Sequence, residues 1–71
     1  MGSVSGIVAA FDEMRGVGTI AAADATQYFF HCTQIADGTR KIEAGLPVTF
    51  EVEAGRQGRW EATAVTPRRP S

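Results

Sequence analysis

The side chains with most to offer a ligand gather in two stretches. Arg15-Gly16-Val17-Gly18-Thr19-Ile20 comes first, and Tyr28-Phe29-Phe30-His31 follows about eight residues later. Extended backbone alternates its side chains with a period of two. Neighbouring strands over these stretches therefore carry Val17, Thr19, Phe29 and His31 on one face, with Ile20, Tyr28 and Phe30 on the other. An outward phenyl and imidazole, beside an arginine and a glycine-opened strand, make a surface that stacks flat rings and meets phosphate. Trp60, flanked by Arg59 and near Arg56, adds a ring beside guanidinium groups that could stack a base and hold its phosphate. These residues, and Phe11 before them in the chain, also have second assignments: Phe29 and His31 could be partly buried by neighbouring loops and serve packing alone. Trp60 also suits the cover of a barrel end, Arg15 a solvated turn charge paired with Asp12 or Glu13, and Phe11 a position half core and half platform.

Catalytic and metal chemistry lack their parts. Gly16-Val17-Gly18-Thr19-Ile20-Ala21 has the spacing of a dinucleotide-binding string, but such a string must open a helix inside a βαβ unit, and here a strand follows. His31 and Cys32 are adjacent, so on a strand they face opposite sides, and no further His or Cys completes a zinc shell. Asp12 and Glu13 fall in a polar turn that offers no burial for general-acid work. The residues point to binding without catalysis, cofactor or metal.

The elements that must hold these side chains are strands. Residues 4–11 are rich in small and β-branched types and stop at Asp12-Glu13, and a second strand over 16–20 follows closely enough for a hairpin. Residues 21–25 are alanine-rich but too short for an independent helix, and read as strand end plus turn. Residues 26–31 form the third strand and 33–45 the longest connection. In 47–53, Val48, Phe50 and Val52 alternate inward against Thr49, Glu51 and Glu53 outward. A turn over 55–58 leads to a last strand over 60–65, ended by Pro67. Five short strands with a long gap after the third suit a small closed barrel, which also removes exposed edges.

Bulk properties agree with one small globular domain. The chain has 71 residues, 44% of them hydrophobic and 21% charged, with a formal net charge of −1. No overall field attracts a polyanion, so nucleic-acid binding must rely on local arginines and stacking. A single cysteine cannot form an internal disulfide, which suits a reducing compartment. There is neither a membrane-length apolar run nor a charged-then-apolar leader at the start. A cytoplasmic protein without a membrane partner is expected.

Ser5-Gly6-Ile7-Val8 with Phe11, then Arg15-Gly16-Val17-Gly18-Thr19-Ile20, then Phe29-Phe30-His31, resemble the bacterial cold-shock domain family. Glu43-Ala44-Gly45 leading to Val48-Thr49-Phe50-Glu51-Val52 continues the likeness, as do Gly58 and residues 62–65, so it spans 4–66 in order. The resemblance implies an all-β, five-stranded antiparallel barrel of the OB type over 1–66, with 67–71 a disordered basic tail. It implies binding of single-stranded RNA or DNA, with RNA favoured, in the manner of an RNA chaperone or a regulator of transcription or translation. The implied contacts are Phe11, Arg15, Val17, Thr19, Phe29 and His31, to which the residues themselves add Arg59 and Trp60.

Departures from the family pattern concentrate on the binding face. Ala9 and Ala10 stand where the family has a basic residue and a Trp, and Val17 and Thr19 where it has two Phe. Cys32 follows the His in place of Phe, and Thr39 takes the place of a loop aromatic. Stacking is worth roughly 1–3 kcal/mol per base, so losing several rings removes on the order of 5 kcal/mol. A micromolar complex has only about 8 kcal/mol, so weak, salt-sensitive binding is expected. The alternative is a monomeric barrel that has given up nucleic acid and meets a protein partner through Ala10, Val17 and Cys32.

Overall fold

A computed structural model describes residues 3–36, 38, 41–55 and 59–68. Strand β1 runs Val4–Asp12, β2 Val17–Ala22, β3 Gln27–His31, β4 Pro47–Ala54 and β5 Trp60–Pro67, with a 3₁₀ turn at Cys32–Gln34 after β3. The strands close in the order β1-β2-β3-β5-β4. Four of the contacts are antiparallel and β3 meets β5 in parallel. An odd ring cannot alternate direction at every step, so one parallel seam is the geometric consequence of closing five strands. The seam is short: Phe29 pairs with Glu61, and an isolated bridge joins Ile35 to Val65.

The interior holds Val8, Ile20, Phe30, Ile35, Ile42, Val48, Phe50, Ala62 and Val65, all buried. Alternation in β4 is as the sequence requires, with Val48 and Phe50 buried and Val52 half-buried. In β1 the alternation breaks. A register shift between Val8 and Ala10 leaves both Ala9 and Ala10 exposed and returns Phe11 to the inner side. This is the work of a β-bulge, which inserts one residue and rephases everything after it. Phe11, Gly18 and Phe30 then form one inner row across three strands. The rings of Phe11 and Phe30 stack over the glycine, with centroids 5.8 Å apart and planes 12° from parallel.

Two expectations about boundaries change. β5 extends to Pro67, which pairs with Val48, and the Arg68 N–H donates to the Pro47 carbonyl at 2.8 Å. The barrel therefore includes 67 and 68, because the return of β4 offers backbone partners that far. Residues 69–71 of the expected tail, Arg56, Gln57 and Gly58 of the expected turn, and Thr39 and Arg40 of the long connection lie outside the described residues. No helix among the described residues is long and apolar enough to cross a membrane.

Candidate nucleic-acid interface

Residues opposite one another in register share a face of the sheet. On the outer face of β1–β2–β3, one row is Ala10–Thr19–Phe29 and the next is Asp12–Val17–His31. Phe29 and His31 therefore stand side by side, about 7 Å apart along β3. Phe29 is half-buried and His31 exposed, while Tyr28 and Phe30 turn inward, Tyr28 against the Phe50 ring at 5.2 Å. The period-two reading of this strand holds residue by residue.

His31 is held as well as exposed. Its Nδ1 accepts the Thr33 N–H at 3.3 Å and lies 3.0 Å from Thr33 Oγ1, capping the 3₁₀ turn. With Nδ1 taken up by this cap, Nε2 is the ring nitrogen left for a ligand. The Cys32 Sγ lies 3.9 Å from the same Nδ1. Adjacent residues on opposite faces would not meet in this way. Cys32 has left the strand for the 3₁₀ turn, which brings its thiol back beside the imidazole and against Gly16.

Arg15 sits in the β1–β2 turn, shaped by Asp12, whose Oδ1 accepts the N–H groups of Met14 and Arg15 at 3.1 and 3.2 Å. Glu13 pairs with Lys41 at 3.7 Å. The Asp12 carboxylate thus takes backbone N–H groups, that of Arg15 among them, and Glu13 takes Lys41; among the described residues the Arg15 guanidinium has no ion pair. Gly16 completes the turn at φ +69°, a region that suits glycine, and its carbonyl accepts the Cys32 N–H at 2.7 Å. At the far end of β2–β3, Asp24 accepts the Thr26 N–H at 3.0 Å. That bond, with a further one from the Thr26 side chain, holds the Asp24 carboxyl below its ordinary range.

Trp60 stands 57% exposed at the start of β5, and with Arg59 it borders a groove at the parallel seam. The groove has a volume of about 350 Å³ and is also lined by Thr19, Gln27, Tyr28 and Phe29. The structure thus joins Thr19, Phe29, Arg59 and Trp60, with Val17 and His31 in the next outer row and Arg15 in the adjoining turn. It does not bring Phe11 to this face: the bulge sends it to the inner row, where it backs Phe30 instead of presenting a ring outward. Gln27 and Glu61 are additions to the expected set. Gln27 shares the face of Phe29 by period two, a signal present in the sequence. Glu61 joins only through the register of the parallel seam.

A closed five-stranded barrel with rings and arginines on one outer face is the architecture of an OB-type nucleic-acid-binding domain. The chain belongs to the 'Cold-shock' DNA-binding domain family, whose model matches residues 4–68. It is similar to the solved structure "drosophila Unr CSD456", with 26% identity and a TM-score of 0.79 over 97% of this chain. The chain spans 28% of that chain's length. Membership makes it a nucleic-acid-binding domain of the cold-shock family.

Proposed function

We propose that the outer face of β2–β3 binds single-stranded nucleic acid, RNA in preference to DNA, weakly and without catalysis. In this reading Phe29 and His31 each take a base, Thr19 and Val17 line the space between strands, and Arg15 meets the backbone. Arg59 and Trp60 widen the contact across the seam, and Phe11 supports the face from below. The single observation that carries the reading is the pair of outward rings on β3, joined by a groove to an exposed tryptophan. Fewer rings than the family pattern mean faster release, which suits a monomeric cytoplasmic RNA chaperone or a regulator of transcription or translation. Titration of Trp60 fluorescence with oligo-U and oligo-dT at low salt is the test. Quenching at high micromolar ligand, weakened by added salt, is expected. No quenching, with no gel or NMR shift, sinks the proposal.

A second reading has one observation in its favour. The β1 bulge exposes Ala9 and Ala10 together next to Val17, an aliphatic surface suited to a protein partner, with Cys32 at its border. Pull-down with and without nuclease separates the two. Partners that survive nuclease favour protein docking, and recovered RNA favours the first reading.

A further inference from the structure

Register places the Glu61 carboxylate beside the Phe29 ring, so its position bears on whether that ring is open to a base. Its row runs Phe29–Glu61–Glu53 across β3, β5 and β4. The side chain does not lie over Phe29. It is folded over Gly55, so that a β-carbon built there would overlap the Glu61 carboxylate and stand 2.6 Å from its Cγ. Among the described residues, the lining of the groove beside Phe29 and Trp60 correspondingly holds no acidic side chain. Gly55 is not in the left-handed region of backbone space, so its turn does not require a glycine for conformational reasons. What its missing side chain supplies is room.

We propose that Gly55 is a positioning residue for the interface: it gives the Glu61 carboxylate a resting place away from Phe29. The inference rests on the reading of Phe29 as a base platform. If Gly55 carried a side chain, the carboxylate would have to move, and because it is the free end of a flexible chain it could do so without unfolding anything. On the β4 side it would meet Glu53, a like charge directly opposite, which is unfavourable. Besides open solvent, the direction left to this half-buried side chain is over Phe29. A carboxylate there stands where a base should stack and repels the phosphate that arrives with it.

The variants Gly55→Ala, Glu61→Gln and the double variant test this. At low salt, Gly55→Ala should weaken oligo-U binding about three- to tenfold, from charge repulsion and partial loss of one stack. The loss should shrink at high salt. Gly55→Ala/Glu61→Gln should recover wild-type affinity to within about twofold, because the uncharged amide is not repelled by Glu53 and can rest on the β4 side, away from Phe29. A purely steric injury to the turn would not be rescued by an isosteric residue. The Phe29 ring signals in ligand-free NMR spectra give an independent readout: they should shift in Gly55→Ala, and much less in the double variant. Unchanged affinity in Gly55→Ala, no rescue in the double variant, or unmoved Phe29 signals overturns the inference. Absence of binding by the wild type, with the Phe29 shift present, removes the platform reading while leaving the placement of Glu61 intact.

Discussion

Replacing Gly18 by Ala tests the row that underlies the whole interface. Gly18 is buried in β2 between Phe11 and Phe30, and an added β-carbon would lie 2.5 Å from the Ala10 carbonyl oxygen and 2.8 Å from the Phe30 ring. The ring could tilt, but the carbonyl belongs to the β1–β2 ladder and has little freedom. Overpacking of this kind costs about 1–3 kcal/mol. Loss of the Phe11–Phe30 stack adds about 0.5–1.5 kcal/mol. Against this, Ala in a strand gains about 0.5–1 kcal/mol over Gly. The middle of these ranges nets to a destabilisation of about 2 kcal/mol. At 0.05–0.15 kcal/mol per residue a chain of 71 residues has roughly 4–11 kcal/mol in all, so the variant should still fold. For a domain of this size the midpoint should fall by roughly 5–20 °C, measured by circular dichroism or calorimetry. In a double-mutant cycle, Phe30→Leu should relieve part of the clash, giving a coupling above about 0.5 kcal/mol. A midpoint within about 2 °C of wild type would mean that no ring occupies the space above Gly18. The assignment of Phe11 to the inner row would then be wrong.

Three further outcomes are expected. Phe29→Ala should reduce oligo-U affinity by about 1–3 kcal/mol, roughly 5- to 150-fold, with a melting midpoint at most a few degrees lower; wild-type affinity would remove Phe29 from the interface. His31→Asn should keep a side-chain oxygen that can accept the Thr33 N–H, while His31→Ala loses the cap at about 0.5–2 kcal/mol; both should weaken binding, and equal melting of the two would show that the cap contributes nothing. Asp24 has a folded-state pKa below its unfolded one, so its contribution is present above the ordinary carboxylate range and lost as pH falls through the depressed value. Asp24→Asn should therefore flatten the acid limb of a stability–pH curve, and an unaltered limb would discount the turn.

Local rules carried the reading of β3 and β4. The opposition of Phe29 and His31 to Tyr28 and Phe30 follows from period-two alternation, which needs no knowledge of neighbours, and the same holds for Val48, Phe50 and Val52. The number of strands and their closure were legible because turn signals punctuate the chain and a long connection follows the third strand. Those parts depend only on residues near one another in the chain.

Register and direction belong to the assembled barrel. Phe11 turns inward because β1 pairs with both β2 and β4, and a bulge between Val8 and Ala10 reconciles the two ladders. Cys32 reaches His31 because the chain coils as it leaves β3. Glu61 comes beside Phe29 through a parallel contact that exists only once five strands close a ring. The chain by itself determined which side chains alternate and which rings it owns. The tertiary structure decided which of them share a face, since cross-strand neighbours are set by pairing between distant segments and a shift of one residue reverses every side chain.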